Sequence, residues 1–372
     1  MKIAVPREIK PQEGRVALLP AHVKSLADGG HMVRVETGAG VLSGAADAEY
    51  AAAGAEIVDS AEAIYGQAEM IVKVKEIMTE EYAYLDRRHV VFTNIHSALN
   101  RALTDKLLEI GLTAIAAEET HANGSPNSVL AGEIGAFEGI RLCLAPHGGP
   151  GRHFTPRYGA PALKAVVIGL GMAGAGALNT LFGLGASVIG LDVDEDARSR
   201  SQLKWAGTDF TAGDIDALAG CLPEVDLLVN CVLWPKHRKD HLVDRKMLQK
   251  MKPTAVIVDI SCDDAGAIET TRPTTWSAPL YTEEGIRHFC VDNIPGAVPV
   301  TASAGYGEAI LPMVRLIADA GPLEACRRQP WLARGLTCAG GALLHEETGR
   351  VQDRPFTPVA EFLAAGGRPP AL

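Results

Sequence analysis

The chain opens on a short apolar run, KIAV at Lys2–Val5, and similar runs recur at MVRVE (Met32–Glu36), MIVKV (70–74), VVFTNI (90–95) and TAIAAE (113–118). Each is short, apolar and rich in β-branched residues, and reads as a strand. The intervening segments 20–30, 46–54 and 99–111 carry helical spacing and end on glycine, a helix stop. Strands that alternate with helices imply βα units and a mostly parallel sheet. A longer helical stretch at 129–144 leads into APHGGPGRHFTPRYGAP at 145–161, whose Gly and Pro density marks a connection. A second series follows, with strands expected at 165–169, Ser187–Asp192, 226–231, 255–260 and 288–291. A last helix at 307–320 is placed to return to the first part. The pattern predicts an α/β protein with two Rossmann-like domains built on parallel sheets.

Composition agrees and narrows the function classes. A chain of 372 residues suits two cores, and 47% hydrophobic with 22% charged residues is ordinary for a globular protein. The net charge of -10 repels phosphate backbones, so neither nucleic acid nor an anionic membrane is an expected partner. The cysteines (143, 221, 231, 262, 290, 326 and 338) are scattered and form no CxxC pair. That argues against a disulfide framework and a zinc site, and for a reducing compartment. MKIAVPREIK lacks the apolar region of a signal peptide, and no apolar run reaches membrane-spanning length. A cytoplasmic protein without a metal site is expected.

The sharpest motif begins where AVVI at 165–168 feeds into Gly169-Leu-Gly171-Met-Ala-Gly174. A lone GxGxxG is weak, but strand, glycine turn and helix in that order make a dinucleotide fingerprint. Gly169 permits the turn, Gly171 lets a pyrophosphate approach the backbone, and Gly174 lets helix and strand pack closely. Met172 and Ala173 open a helix whose N-terminal amides favour phosphate. Asp192 closes the next strand, where a carboxylate accepts ribose hydroxyls; Cys231 and Val232 complete the expected cofactor-binding set. Asp194, Glu195 and Asp196 follow, with no arginine directly after Asp192, so NAD is favoured over NADP. The bland alternative is a glycine turn that binds another nucleotide or nothing.

Beyond this motif, VPREIKPQEGRVALLP at 5–20 resembles the start of the alanine dehydrogenase family, which includes the transhydrogenase nucleotide subunit and N5-(carboxyethyl)ornithine synthase. The likeness continues at VETGAG (35–40), DAEYAAAGAEIV (47–58), KVKE (73–76), NIHSALN (94–100), KPTAVIVDISCDDAGAIETTRPTT (252–275) and VDNIPGAVP (291–299). It implies two domains with a cleft between them: a discontinuous substrate domain, 1–128 plus 298–372, around a dinucleotide domain, 129–297. One stretch, 230–263 with Leu233-Trp234 and Arg238-Lys239-Asp240-His241, is more similar to carboxyethylornithine synthase than to alanine dehydrogenase. At Gly132 the family usually carries a polar residue in contact with cofactor or substrate.

Hydride transfer between a nicotinamide and a 2-oxo acid or its imine needs a cation for the carboxylate, a donor to the carbonyl or iminium, and a proton carrier. The resemblance assigns the carboxylate to Arg15, in a polar loop after the first strand, and to Lys75. Lys73 and Lys75 alternate onto one strand face, and Lys73 is the more peripheral. His96 matches the family's acid–base histidine, Asp263 its catalytic aspartate, and Asn293 is an expected pocket residue. By residue type alone Arg15 reads as a surface arginine, His96 as a structural histidine, and 238–241 as a solvated loop or the border of a second-substrate pocket.

The leading expectation is an opine-type enzyme, joining a pyruvate-like 2-oxo acid to an amino acid's amine with NAD(P)H as reductant. The second is L-alanine dehydrogenase, with ammonia as the amine. The third is a catalytically silent NAD-binding protein. The resemblance also implies a homo-oligomer.

Overall fold

The computed structural model describes residues 1–121, 125–262 and 265–367. The chain divides into two compact units, Met1–Asn127 with Gly296–Leu372, and Ser128–Pro295. In the first, β1 (Lys2–Val5), β2 (Met32–Glu36), β3 (Glu56–Val58), β4 (Met70–Val72), β5 (Val90–Thr93) and β6 (Thr113–Ala116) run parallel. Their side chains alternate between two apolar layers: Ile3, Val5, Val72 and Phe92 enter one, Ala4, Ile71, Val91 and Ala114 the other. Burial on both faces explains why these strands read as continuous apolar runs.

The second unit is built on β7 (Lys164–Ile168), β8 (Ser187–Asp192), β9 (Phe210–Asp214), β10 (Leu227–Asn230), β11 (Val256–Asp259), β12 (Leu280–Glu283) and β13 (Ile286–Phe289), in the order β12-β13-β11-β10-β7-β8-β9. The reversal of strand order beside β7 is the switch point at which doubly wound sheets bind ligands. Back in the first unit, β14 (Leu336–Ala339) and β15 (Ala342–Leu343) complete the order β15-β14-β6-β5-β4-β1-β2-β3.

The expectation of parallel sheets needs correction at the edges. β14 is antiparallel to β6 and β15, and β12 is antiparallel to β13. The β12–β13 turn has positive φ at both Glu284 (51°) and Gly285 (77°), the primed geometry that suits a tight hairpin. Its Glu-Gly pair lacks the usual Asn or Asp signal.

Three strands of the first unit stop earlier than their apolar runs, and in two of them carboxylates are the cause. Glu8 Oε1 accepts from the Val74 and Lys75 amides at 2.6 and 3.2 Å, so the chain leaves β4 at Val72. Glu118 accepts from the Ile95 and His96 amides at 3.1 and 2.7 Å, so β5 ends at Thr93. Strand alternation therefore does not govern Lys73 and Lys75. The third run gives way after Ala116 to a short 3₁₀ turn, Ala117–Glu119. The returning helix starts at Pro299, earlier than its apolar spacing announced, because Pro suits a first helical turn.

Helices Ser128–Leu142 and Met172–Gly183 cross backbone to backbone. A Cβ on Gly132 would lie 1.9 Å from the Ala173 carbonyl oxygen, and one on Gly176 2.0 Å from that of Val129. Packing therefore demands glycine where the family resemblance led us to look for a polar contact. No rotamer relieves a backbone clash, so Gly132→Ala should lower stability by about 1–3 kcal/mol despite alanine's better helix propensity. Gly183→Ala, whose Cβ would meet nothing within 4 Å, is the control and should leave the thermal midpoint unchanged or slightly raised. A Gly132→Ala midpoint equal to the parent's would overturn this account of the crossing.

Candidate active site

In the first unit, neighbouring strands deliver their following loops to one edge of the sheet. β1 leads to Glu8, Glu13 and Arg15, β4 to Lys73 and Lys75, β5 to His96, and β6 to Glu118. Arg15 is no surface residue: it is 5% exposed, and Glu13 grips it through Nε at 2.8 Å and Nη2 at 2.6 Å. A bidentate clamp of this kind fixes the guanidinium plane. Lys75 is also buried, its amide held by Glu8 and its carbonyl by the Thr93 hydroxyl at 2.6 Å.

His96 differs from its neighbours, since about half of its side chain is exposed. Its backbone sits in the left-handed region with φ of 49°, a conformation costly for a non-glycine residue and concentrated at functional sites. Glu118 stabilises that geometry by taking the His96 amide, and its carboxylate stands 3.5 Å from Nδ1. Charge of that sign favours a proton on Nδ1 and leaves Nε2 for a ligand. Glu118 was not among the residues singled out from the sequence. Its one signal there was a glutamate directly after a buried apolar run.

Lys73 proves to be a buried structural charge. It is fully buried, ion-paired to Glu81 and 3.5 Å from Glu8 Oε2. Burial alone would lower its pKa, but Glu8 and Glu81 outweigh that and hold the ammonium above its ordinary value. Burial pushes the Glu8 carboxyl up, with Lys73 and the Val74 amide opposing. Tyr65 donates to Glu81 at 2.5 Å, and the buried Tyr306 donates to the Lys73 carbonyl at 3.0 Å.

The second unit holds a groove of about 390 Å³ within the size range of small-molecule sites, lined in part by Gly169, Gly171, Asp192, Cys231 and Val232. Gly169 takes φ of 85°, and a Cβ there would press within 3.0 Å of Cys231. A Cβ on Gly174 would strike the Gly169 carbonyl oxygen at 1.9 Å, whereas Gly171 opens onto free space. That is the cradle a pyrophosphate requires, above the helix that Gly171 caps. Asp192 is aimed by two amides, from Leu170 at 2.6 Å and Asp194 at 2.9 Å. These residues fit a dinucleotide.

Met172, Ala173 and Gly174 lie at the helix start and are absent from the groove wall, with the Ala173 carbonyl turned to Gly132. Asn293 is buried, its carbonyl accepting from Trp276 at 3.0 Å, and is likewise absent from that wall. Asp263 lies outside the described residues. The sequence reading missed Val193, Ile215, Leu233, Trp234 and Arg238 as groove residues. Their shared signal is position, just past the carboxyl ends of β8, β9 and β10. Among the described residues no group of three or more His, Cys, Asp or Glu is placed to hold a metal ion. Nor is any helix among them long and apolar enough to cross a membrane.

A glycine-cradled groove with an aimed ribose-type carboxylate, in a chain that also carries an α/β unit with buried cations, defines a nicotinamide-dependent oxidoreductase. The sequence matches the family descriptions Alanine dehydrogenase/PNT, N-terminal domain over residues 4–131 and Alanine dehydrogenase/PNT, C-terminal domain over 137–346. Alanine dehydrogenase of Mycobacterium tuberculosis is 37% identical over 371 residues, covering 98% of this chain and 100% of that protein. A solved L-alanine dehydrogenase superposes with a TM-score of 0.86 at 36% identity, over 95% of this chain and 99% of that one. A transhydrogenase from Sinorhizobium meliloti gives 0.74 at 26% identity, over 93% and 99%. The chain belongs to the alanine dehydrogenase/PNT family.

Next to Lys75, Glu76 makes the electrostatics testable. Burial would raise its carboxyl, but the ammoniums of Lys75 and Lys10, the latter 3.0 Å away, bring it down to about 2. A depressed folded-state value means the stabilisation is present above the ordinary carboxylate range and is lost as pH falls from about 4.5 toward 2. Glu76→Gln should therefore cost about 2–3 kcal/mol at neutral pH. The difference in thermal midpoint between parent and variant should shrink steadily between pH 5 and about pH 2.5. A difference that stays constant across that range would contradict the assignment.

Proposed function

We propose that the protein catalyses the reversible oxidative deamination of L-alanine to pyruvate and ammonium, with NAD as the hydride acceptor. In this reaction L-alanine, NAD⁺ and water give pyruvate, ammonium, NADH and a proton. The observation that carries the reading is the set Arg15, Lys75 and His96 on loops that follow adjacent strands of one sheet, in a chain matched end to end by alanine dehydrogenases. When bound, the nicotinamide supplies or accepts the hydride at the substrate's Cα.

Each residue then has a task that its surroundings support. Arg15, clamped by Glu13, and Lys75, carried on a loop tied by Glu8, would hold the substrate carboxylate and carbonyl oxygen. His96 would take a proton from water as it adds to the imino carbon, then return it to the departing amine. The discontinuous unit would be the substrate domain and Ser128–Pro295 the dinucleotide domain. Asp263 is proposed as a second proton-handling group on the family resemblance alone. The seven cysteines, all free thiols, support a reducing, cytoplasmic setting.

The opine-type alternative drew on the stretch 230–263. Leu233, Trp234 and Arg238 line the groove that holds Gly169 and Asp192, which supports a role at the nucleotide over a second-amine pocket. NADH oxidation with pyruvate plus ammonium, against pyruvate plus ornithine, lysine or arginine, separates the two. Turnover with ammonium is the expected result. Turnover only with an amino acid amine would overturn the proposal, and NADH binding without turnover on any amine would leave a silent binding protein. His96→Ala should lower kcat/KM by roughly 10²–10⁴ while NADH still binds; an unaltered rate would remove His96 from the reaction.

A further inference from the structure

The segment from Cys231 to Leu242 is pinned at both ends. The Cys231 amide bonds to the Ile168 carbonyl at 2.7 Å. At the other end, His241 Nδ1 meets the Gly266 carbonyl at 2.8 Å and the Leu242 amide bonds to that of Ala267 at 2.8 Å. Between these anchors the loop folds on itself. Trp234 is 7% exposed, and its indole Nε1 donates to the Asp240 carbonyl at 2.9 Å. The Arg238 guanidinium lies over the Trp234 ring, 4.1 Å from its centroid. Asp240 holds that guanidinium through Nε at 2.7 Å and through Nη2.

Trp234 and Arg238 both line the groove that contains Gly171 and Asp192. Among its described lining residues Asp192 is the one anion and Arg238 the one cation. That cation is already paired: Asp240 takes the Nε/Nη2 edge, one of the two forks an arginine can offer a phosphate. Besides its Nη1 end, a guanidinium clamped in this way presents a flat π surface, one side of it backed by indole. A surface of that kind suits an aromatic base. The rest of the wall, with Val193, Ile215 and Leu233, is apolar, as a base edge requires.

We propose that Arg238, backed by Trp234 and held flat by Asp240, is the stacking platform for the purine of the dinucleotide, and that it recognises the base and not a 2′-phosphate. The proposal rests on the dinucleotide reading of the groove and deepens it. Because the loop is tied at both ends before any ligand arrives, stacking costs little ordering entropy. Asp192 remains available to the ribose, whose unmodified 2′-hydroxyl it can accept.

The test is calorimetric titration with ADP-ribose and with its 2′-phosphorylated form, on the parent, Arg238→Ala and Arg238→Lys. A parallel titration follows Trp234 fluorescence, with Trp234→Phe as the control that identifies the signal. The expected results are quenching of Trp234 by ADP-ribose and about a tenfold rise in Kd in Arg238→Ala. Arg238→Lys should fail to rescue, because lysine keeps the charge and loses the plane. Rescue by lysine, or a loss confined to the 2′-phosphorylated ligand, would show that charge and not stacking is at work, and would overturn the proposal. Parent binding with Kd unchanged in a folded Arg238→Ala, judged by its thermal midpoint, overturns the platform alone. No binding of either ligand by the parent overturns the dinucleotide reading and the platform with it.

Discussion

A fully buried ammonium organises the first unit. Lys73 has no exposed surface, and an unpaired charge there would be very costly. Glu8, in the loop after β1, and Glu81, in the 3₁₀ helix Thr79–Tyr84, meet that demand. Glu8 then does a second job: the same carboxylate takes the amides of Val74 and Lys75, which ends β4 and turns the chain outward. The Lys75 side chain is thus presented by a loop whose shape is set one residue away by an ion cluster. Tyr306, on the helix that returns to this unit, ties down the Lys73 carbonyl, so both sequence segments of the unit depend on one charge.

The same device recurs at His96. Glu118 terminates β5 by capping the Ile95 and His96 amides, and the histidine then adopts a left-handed backbone that the strand would have forbidden. Carboxylates that accept backbone amides at strand ends thus set where functional loops begin. In the second unit Asp192 is the counterpart, held by the amides of Leu170 and Asp194. Each acid spends part of its hydrogen-bonding capacity on the backbone, which fixes its direction before a ligand arrives.

The sequence was legible wherever one local rule sufficed. The apolar runs marked the central strands because both sheet faces are buried, and the glycine turn was legible because its positive φ and close approaches admit almost nothing else. It was less legible where long-range partners decide the outcome. Nothing local in KVKE says that Lys73 will be sealed against Glu8 and Glu81 while Lys75 is held on a displaced loop. Glu118 as a partner of His96, and β14 as an antiparallel neighbour of β6, each depend on residues far along the chain. The strand expected at 288–291 overlaps β13, but β12 and the hairpin that joins them were missed for a local reason, since the Glu-Gly turn lacks the common signature.

The departures from the family pattern carry a lesson of their own. A glycine at position 132 and an unusual stretch around Trp234 looked like changes in what the enzyme accepts as substrate. Both have physical accounts inside the second unit. Gly132 is demanded by a helix crossing in which the facing carbonyl leaves no room for a Cβ. Trp234 and Arg238 stand on the wall of the groove that contains Gly169 and Asp192, and Asp240 holds the guanidinium over the indole ring. Both features therefore have accounts in how this unit packs its helices and lines its glycine-walled groove. Arg15, Lys75 and His96 lie in the other unit, where Glu13, Glu8 and Glu118 hold their side chains or backbone in place.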